Sequence, residues 1–306
     1  MAWRSLMYLL WSHAIASTMT CNRTAHLKDH YAMYHRHGEV LLDYGDGTCP
    51  LTYDDLAYGY ETMLMDPKNN NQYFRFFGIV SQQDPMDVLI MQELFEKIKP
   101  NLIIETGTLC GGGALLFAHL LALYGIPNAK VLTFDIVRHK FCDKNREINA
   151  FAHPLWAKYE AEGRLEAHIL PLDTPGGRDR MRDMVRPHAS SASAVFITED
   201  SAHERTMVIN NFLALHEFVT VGSYYLIQDT RLDRDCEDAR LTKTPDYRNY
   251  KKPHKSYCRW YINNGPAAAM RILRSHEAFR ANFLIDRSVE KYILTQHPGG
   301  WCKRTV

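Results

Sequence analysis

Short apolar runs ending on a carboxylate recur along this chain, separated by stretches with helical spacing. That alternation constrains the fold more than any other feature. Asn101-Leu102-Ile103-Ile104-Glu105 and Val131-Leu132-Thr133-Phe134-Asp135 are two such runs, and residues 165–172, 193–200 and 223–229 repeat the theme. Between them apolar residues fall at helical intervals: Val88, Ile90, Met91, Leu94, Phe95 and Ile98 predict a helix over 87–98, which Pro100 stops. Further helices are expected near 112–124, 176–186 and 204–218. Buried strands alternating with helices mean βαβ units and an α/β fold, a parallel sheet covered on both faces. Such sheets bind ligands beyond the carboxyl ends of their strands, where these carboxylates fall.

Charge and length narrow the function classes. The 306 residues carry 36 Lys+Arg against 35 Asp+Glu, which removes any global electrostatic argument for a nucleic-acid partner. No apolar run is long enough for an integral membrane span. The first 28 residues hold no Asp or Glu; Arg4, an apolar stretch over 6–15 and Ala14-Ile15-Ala16 follow the layout of a secretory signal. A mitochondrial presequence or an amphipathic helix on a cytoplasmic chain reads the same stretch. Residues 29–76 are polar and rich in Tyr and His, with turn signals such as Tyr44-Gly45-Asp46-Gly47, and are read as an N-terminal region with one or two short helices. The main domain is expected over 77–306. Seven scattered cysteines show no zinc spacing; Cys236 and Cys258 flank one loop and could pair in an oxidising compartment. The sequon Asn22-Arg23-Thr24 matters only if the chain is secreted.

Glu105-Thr106-Gly107-Thr108-Leu109-Cys110-Gly111-Gly112-Gly113 reads as a strand, a glycine-rich turn and a helix start. Its spacing is E-x-G-x-x-x-G, not the G-x-G-x-x-G of a dinucleotide turn. A carboxylate opening the turn is a poor neighbour for a pyrophosphate and a good one for an amine-bearing ligand. Asp135, ending the next strand, is placed to accept hydrogen bonds from ribose hydroxyls. Glycine turn plus strand-end acid is the arrangement used for S-adenosylmethionine; the plainer reading is a tight turn with two helix caps. Farther on come Glu199-Asp200-Ser201-Ala202-His203 and Gln228-Asp229-Thr230. Neighbouring strands lie about 4.8 Å apart, so Asp200 and Asp229 could share one ion, and hard oxygen ligands favour Mg²⁺ over zinc. His203 is the candidate general base. Asp200 as a helix N-cap is the alternative.

Residues 77–304 resemble the cephalosporin hydroxylase/rhamnosyl O-methyltransferase family of class I methyltransferases. The stretches that match are Phe77-Gly78 with Asp87, the segment from Pro100 to Gly107 with Gly111-Gly112, and Asp200-Ser201-Ala202-His203-Glu204. Val221-Gly222-Ser223-Tyr224 into Gln228-Asp229-Thr230, then Gly265-Pro266, and Thr295-Gln296-His297-Pro298-Gly299-Gly300-Trp301-Cys302-Lys303-Arg304 continue the match. The resemblance implies a Rossmann-like, seven-stranded, mostly parallel sheet with helices on both faces, S-adenosylmethionine as cofactor and a divalent metal, usually magnesium. Metal ligands fall on Asp200, Gln228 and Asp229. Gln228 stands where the family has Glu, leaving two carboxylates in place of three and weakening the expected metal. Glu105, Gly107, Gly111, Gly112, Asp135 and Asp173 are expected to line the cofactor pocket, and His203 or Asp200 to take the acceptor's proton. A homo-oligomer is also implied.

Residues 231–261 turn basic and aromatic, with nine Lys/Arg against five acids and Tyr247, Tyr250, Tyr257, Trp260 and Tyr261 interleaved. The reading is a substrate lid for a small-molecule hydroxyl acceptor. Two other classes compete: an RNA methyltransferase using this loop, and a binding protein of the same fold with altered catalysis.

Overall fold

The computed structural model describes residues 32–36, 39–43, 48–51, 75–144, 146–233, 263–290 and 295–306. Residues 1–28, read as a possible targeting segment, most of the basic-aromatic segment, and Cys236 and Cys258 lie outside the described residues. The chain divides into two compact units, residues 1–59 and 60–306.

The first unit carries three antiparallel strands, β1 (Ala32–Arg36), β2 (Glu39–Asp43) and β3 (Thr48–Leu51). The other residues of 29–76, up to Phe74, where short helices were expected, lie outside the described residues.

The second unit opens with a hairpin, β4 (Arg75–Phe76) and β5 (Ile79–Val80), whose turn is Phe77-Gly78, both at positive φ. Helix α1 (Pro85–Ile98) follows, capped by the Asp84 side chain and stopped before Pro100. Then come β6 (Leu102–Thr106), α2 (Gly112–Leu123), β7 (Lys130–Asp135), α3 (Lys140–Lys144), α4 (Pro154–Ala161), β8 (Leu165–Ile169) and α5 (Pro175–Ser191). The chain continues through β9 (Val195–Glu199), α6 (Arg205–Leu215), β10 (Tyr224–Ile227), α7 (Pro266–Leu273), α8 (Glu277–Asn282), β11 (Phe283–Ile285) and β12 (Trp301–Arg304).

These strands form one seven-stranded sheet in the order β11-β12-β10-β9-β6-β7-β8. Only β12 runs against its neighbours. Both faces of the sheet are covered, as the unbroken apolar runs demand. Ile103, Val131 and Phe196 pack with α1, α2 and α4 on one face. Leu102, Ile104, Leu132 and Ile197 pack with α5, α6, α7 and α8 on the other. The class I methyltransferase architecture expected from the sequence is therefore what this chain adopts. The strand order reverses at β6: the chain winds outward through β7 and β8, then returns to place β9 on β6's other side. No helix among the described residues is long and apolar enough to cross a membrane.

Candidate active site

A cavity of about 460 Å³ opens at the carboxyl ends of β6, β7, β9 and β10, where the strand order reverses. Ladder bonds carry each strand past its formal end: Gly107 N donates to Phe134 O (2.7 Å), Asp200 N to Thr106 O (2.8 Å) and Gln228 N to Glu199 O (3.0 Å). The residues after each strand are thus fixed in register before their side chains enter the cavity.

One wall belongs to Glu105 and Asp135. Glu105 is 1% exposed and accepts a hydrogen bond from Thr133 Oγ1 (2.5 Å). Burial pushes its carboxyl up to about 8, because a lone hydroxyl donor does not replace lost hydration. Asp135 is better served: Leu109 N and Ile136 N each donate to its carboxylate at 2.7 Å. The glycine-rich turn is thereby tied through Leu109 to the acid that ends the next strand. Cys110 and Cys142 add a disulfide between the same two loops. Sequence spacing missed this pair, since parallel strands bring together residues 32 positions apart.

The other wall holds Asp200, His203 and Asp229, each offering a ligand atom within 4.8 Å of the others. His203 Nε2 lies 3.4 Å from Asp229 Oδ2 and 3.9 Å from Asp200 Oδ1. Gln83, a contributor that sequence reading missed, donates to Asp200 Oδ2 at 3.1 Å. Burial, then the neighbouring Asp229, push the Asp200 carboxyl well above the usual range. Below it, buried Glu199 accepts from Asn211 Nδ2 at 2.9 Å and from Ser201 Oγ, bracing the turn after β9. Among the described residues, four of the eight non-glycine residues with left-handed backbone, Gln82, Leu109, His203 and Asp229, line this one cavity. Such strain of about 1–3 kcal/mol per residue concentrates where side-chain placement matters more than stability.

Most of the residues expected at the site converge, and three do not. Glu105, Gly107, Asp135, Asp200, His203, Gln228 and Asp229 all line the cavity. Gln228 turns its amide nitrogen to Thr198 Oγ1 (2.7 Å) while sitting beside the two aspartates. Asp173 is exposed and off the cavity wall; Leu172 takes that place because the strand ends earlier, at Ile169, and the chain turns into α5. Gly111 and Gly112 also lie off the wall, backed against Trp156 and the Val80–Ser81 backbone, and Gly113 lines it instead. Each of these glycines leaves room that a neighbouring side chain or backbone fills. The clearest case is Gly107, where an added Cβ would fall 1.8 Å from Asp200 O. His297 and Gln296 also reach the cavity from the C-terminal segment, with no strand-end signal to place them.

The donor set fits a divalent cation. Two carboxylates converge with an imidazole whose Nδ1 is buried without a hydrogen-bond partner among the described residues. Like charges this close, with one acid already pushed toward its protonated form, are relieved by a cation between them. The Glu105 wall likewise fits a ligand that brings positive charge.

The family model for rhamnosyl O-methyltransferase/CmcI matches residues 68–305. This chain belongs to that family. The rhamnosyl O-methyltransferase of Mycobacterium leprae (strain TN) is 26% identical over 159 residues, 52% of this chain and 61% of that protein. The corresponding protein of Mycobacterium tuberculosis (strain ATCC 25618 / H37Rv) is 24% identical over the same span, 57% of its length. The chain thus matches about three fifths of the length of these relatives. An apo structure of CmcI covers 76% of each chain at 16% identity, with a TM-score of 0.46.

Proposed function

We propose that this family member transfers a methyl group from S-adenosylmethionine to a hydroxyl of a small molecule, assisted by a divalent cation such as Mg²⁺. One observation carries the reading: a single cavity is walled by Glu105 and Asp135 on one side and by Asp200, His203 and Asp229 on the other. The first pair would hold the cofactor, Asp135 by accepting from its ribose hydroxyls and Glu105 by accepting from its cationic amine. Asp200 and Asp229 would hold the cation, with Gln228 as an uncharged neighbour. When bound, such a cation lowers the pKa of an acceptor hydroxyl.

The chain's own residues do the positioning. Methyl transfer is an in-line displacement, so holding the acceptor oxygen aligned with the sulfonium carbon supplies much of the rate. The two walls face each other across one cavity, which sets that alignment. His203, braced between Asp200 and Asp229, is placed to take the acceptor's proton. The acceptor class, a sugar, phenol or natural-product hydroxyl, and self-association into a homo-oligomer belong to the same reading; light scattering tests the second.

Calorimetry of S-adenosylhomocysteine binding, with magnesium and then with chelator, tests the proposal. Binding in both conditions, tighter with magnesium, is expected; no binding in either would overturn it. Asp135→Ala should weaken cofactor binding by roughly 10-fold or more, consistent with loss of a charge-assisted contact of about 1.5–3 kcal/mol. Asp229→Asn should depress turnover far more than cofactor affinity, and equal losses in both would remove Asp229 from the cation site.

A further inference from the structure

The C-terminal segment Thr295-Gln296-His297-Pro298-Gly299-Gly300 has no role in the chemistry above, yet it grips the Asp229 strand end at three points. Ile227 N donates to Gly300 O (2.9 Å), Thr230 Oγ1 to Pro298 O (3.0 Å) and Arg231 N to Gln296 O (3.1 Å). In the middle, Asp229 N donates to His297 Nδ1 at 2.8 Å. His297 is 1% exposed, so its ring cannot exchange this bond for water. An imidazole that accepts at Nδ1 carries its proton on Nε2, and that nitrogen lies 3.5 Å from Asp87 Oδ2 without a hydrogen bond to it. Asp87 is fully buried on α1 and fixed by Thr295 Oγ1 (2.5 Å) and Gln296 N (2.8 Å). A buried carboxyl, a histidine and a backbone N–H thus stand in line behind a cavity aspartate.

Asp229 needs this restraint. Its backbone is left-handed, at φ 54°, where a non-glycine residue does not rest unaided. A peptide free to rotate would relax toward the ordinary regions and swing the carboxylate off Asp200 and His203.

We infer that His297 is a positioning residue: its Nδ1 accepts a hydrogen bond from the Asp229 amide and holds that residue's carboxylate in the cation site. The inference rests on the proposed cation-assisted reading for its functional consequence, while the hydrogen bond itself can be tested apart from it. Mn²⁺ binding, read by paramagnetic resonance, and hydrogen exchange of the 225–233 backbone are measured on the full chain and on His297→Phe and His297→Asn. Asparagine keeps an acceptor oxygen near the Nδ1 position; phenylalanine keeps only the ring. His297→Phe should weaken Mn²⁺ by roughly 10- to 100-fold, the range typical when a partner behind a metal ligand is lost, and should speed exchange at Asp229. His297→Asn should recover most of both, and S-adenosylhomocysteine affinity in chelator should stay within about 3-fold for each variant. Asp87→Ala should shift exchange in the same direction as His297→Phe. Equal losses in the Phe and Asn variants would overturn the inference, as would unchanged Asp229 exchange in His297→Phe. If the unaltered chain binds no Mn²⁺ but His297→Phe still frees the Asp229 amide, the restraint stands and the cation reading fails.

Discussion

At the scale of single residues, the site works through carboxyls held under conditions they would not choose. Glu105 is the clearest. Its value of about 8 in the folded chain lies above the 4.5 of an ordinary glutamate, so between those pH values the folded state keeps a proton that the unfolded state has lost. Its contribution to stability therefore falls as pH rises from 4.5 to 8 and is level above that. Glu105→Gln, which can still accept from Thr133, should raise the melting temperature more at pH 8 than at pH 5; a constant difference would deny the shift. The same acid gives the cofactor proposal a thermodynamic signature. A ligand that places a cation beside Glu105 favours its ionised form, so S-adenosylhomocysteine binding near pH 7 should release a proton. The binding heat should then vary with the buffer's ionisation enthalpy, and the variation should shrink in Glu105→Gln. Gln228 supplies the opposite case, a site neighbour short of one charge. Gln228→Glu should tighten Mg²⁺ binding, because hard-cation affinity rises with the number of charged oxygen ligands. Unchanged affinity would place residue 228 outside the cation's reach.

At the scale of elements, the segments after β6 and β7 build the Glu105–Asp135 wall, and the Cys110–Cys142 disulfide binds them together. Closing a loop of this length stabilises the fold by about 3–4 kcal/mol through the unfolded state, and here it also holds Leu109 N against the Asp135 carboxylate. A Cys110→Ala/Cys142→Ala double variant should melt earlier and bind S-adenosylhomocysteine several-fold more weakly, with Mn²⁺ affinity little changed. Equal cofactor affinity would show that the Leu109–Asp135 bond needs no staple. Between β6 and β9, the close approach at Gly107 decides the geometry: at φ 99° and with Asp200 O in the space of a side chain, no other residue fits. Gly107→Ala should cost well over 1 kcal/mol and disturb both walls, because the displaced atom belongs to the Asp200 peptide. Gly125→Ala shares a positive φ but meets nothing within 4 Å, and should cost only about 1 kcal/mol.

At the scale of the whole molecule, every cavity residue lies between positions 81 and 297, and both hydrophobic clusters lie wholly in the second unit. A fragment of residues 60–306 should therefore fold and bind S-adenosylhomocysteine within about 3-fold of the full chain, since it keeps both clusters and the cavity lining found among the described residues. Loss of cooperative melting in that fragment would show that residues 1–59 are needed for stability. The sequence by itself determined the parallel core. Uninterrupted apolar runs must be buried on both faces, and a carboxylate ending such a run must fall at the ligand-binding edge, so β6, β7, β9 and β10 and the acids Glu105, Asp135, Asp200 and Asp229 were legible in one dimension. The edge strands β11 and β12 were not, for Phe283–Ile285 is three residues long and Trp301–Arg304 ends in two charges. Asp173 was misplaced because the apolar pattern of 165–172 outlasts the strand that it begins. Partners with no local signature were decided only in three dimensions. The Cys110–Cys142 bond, the Gln83 amide on Asp200 and the Asp87–His297 line behind Asp229 join residues up to 210 positions apart. Periodicity reports which face of an element is buried, and only tertiary packing determines which buried groups meet.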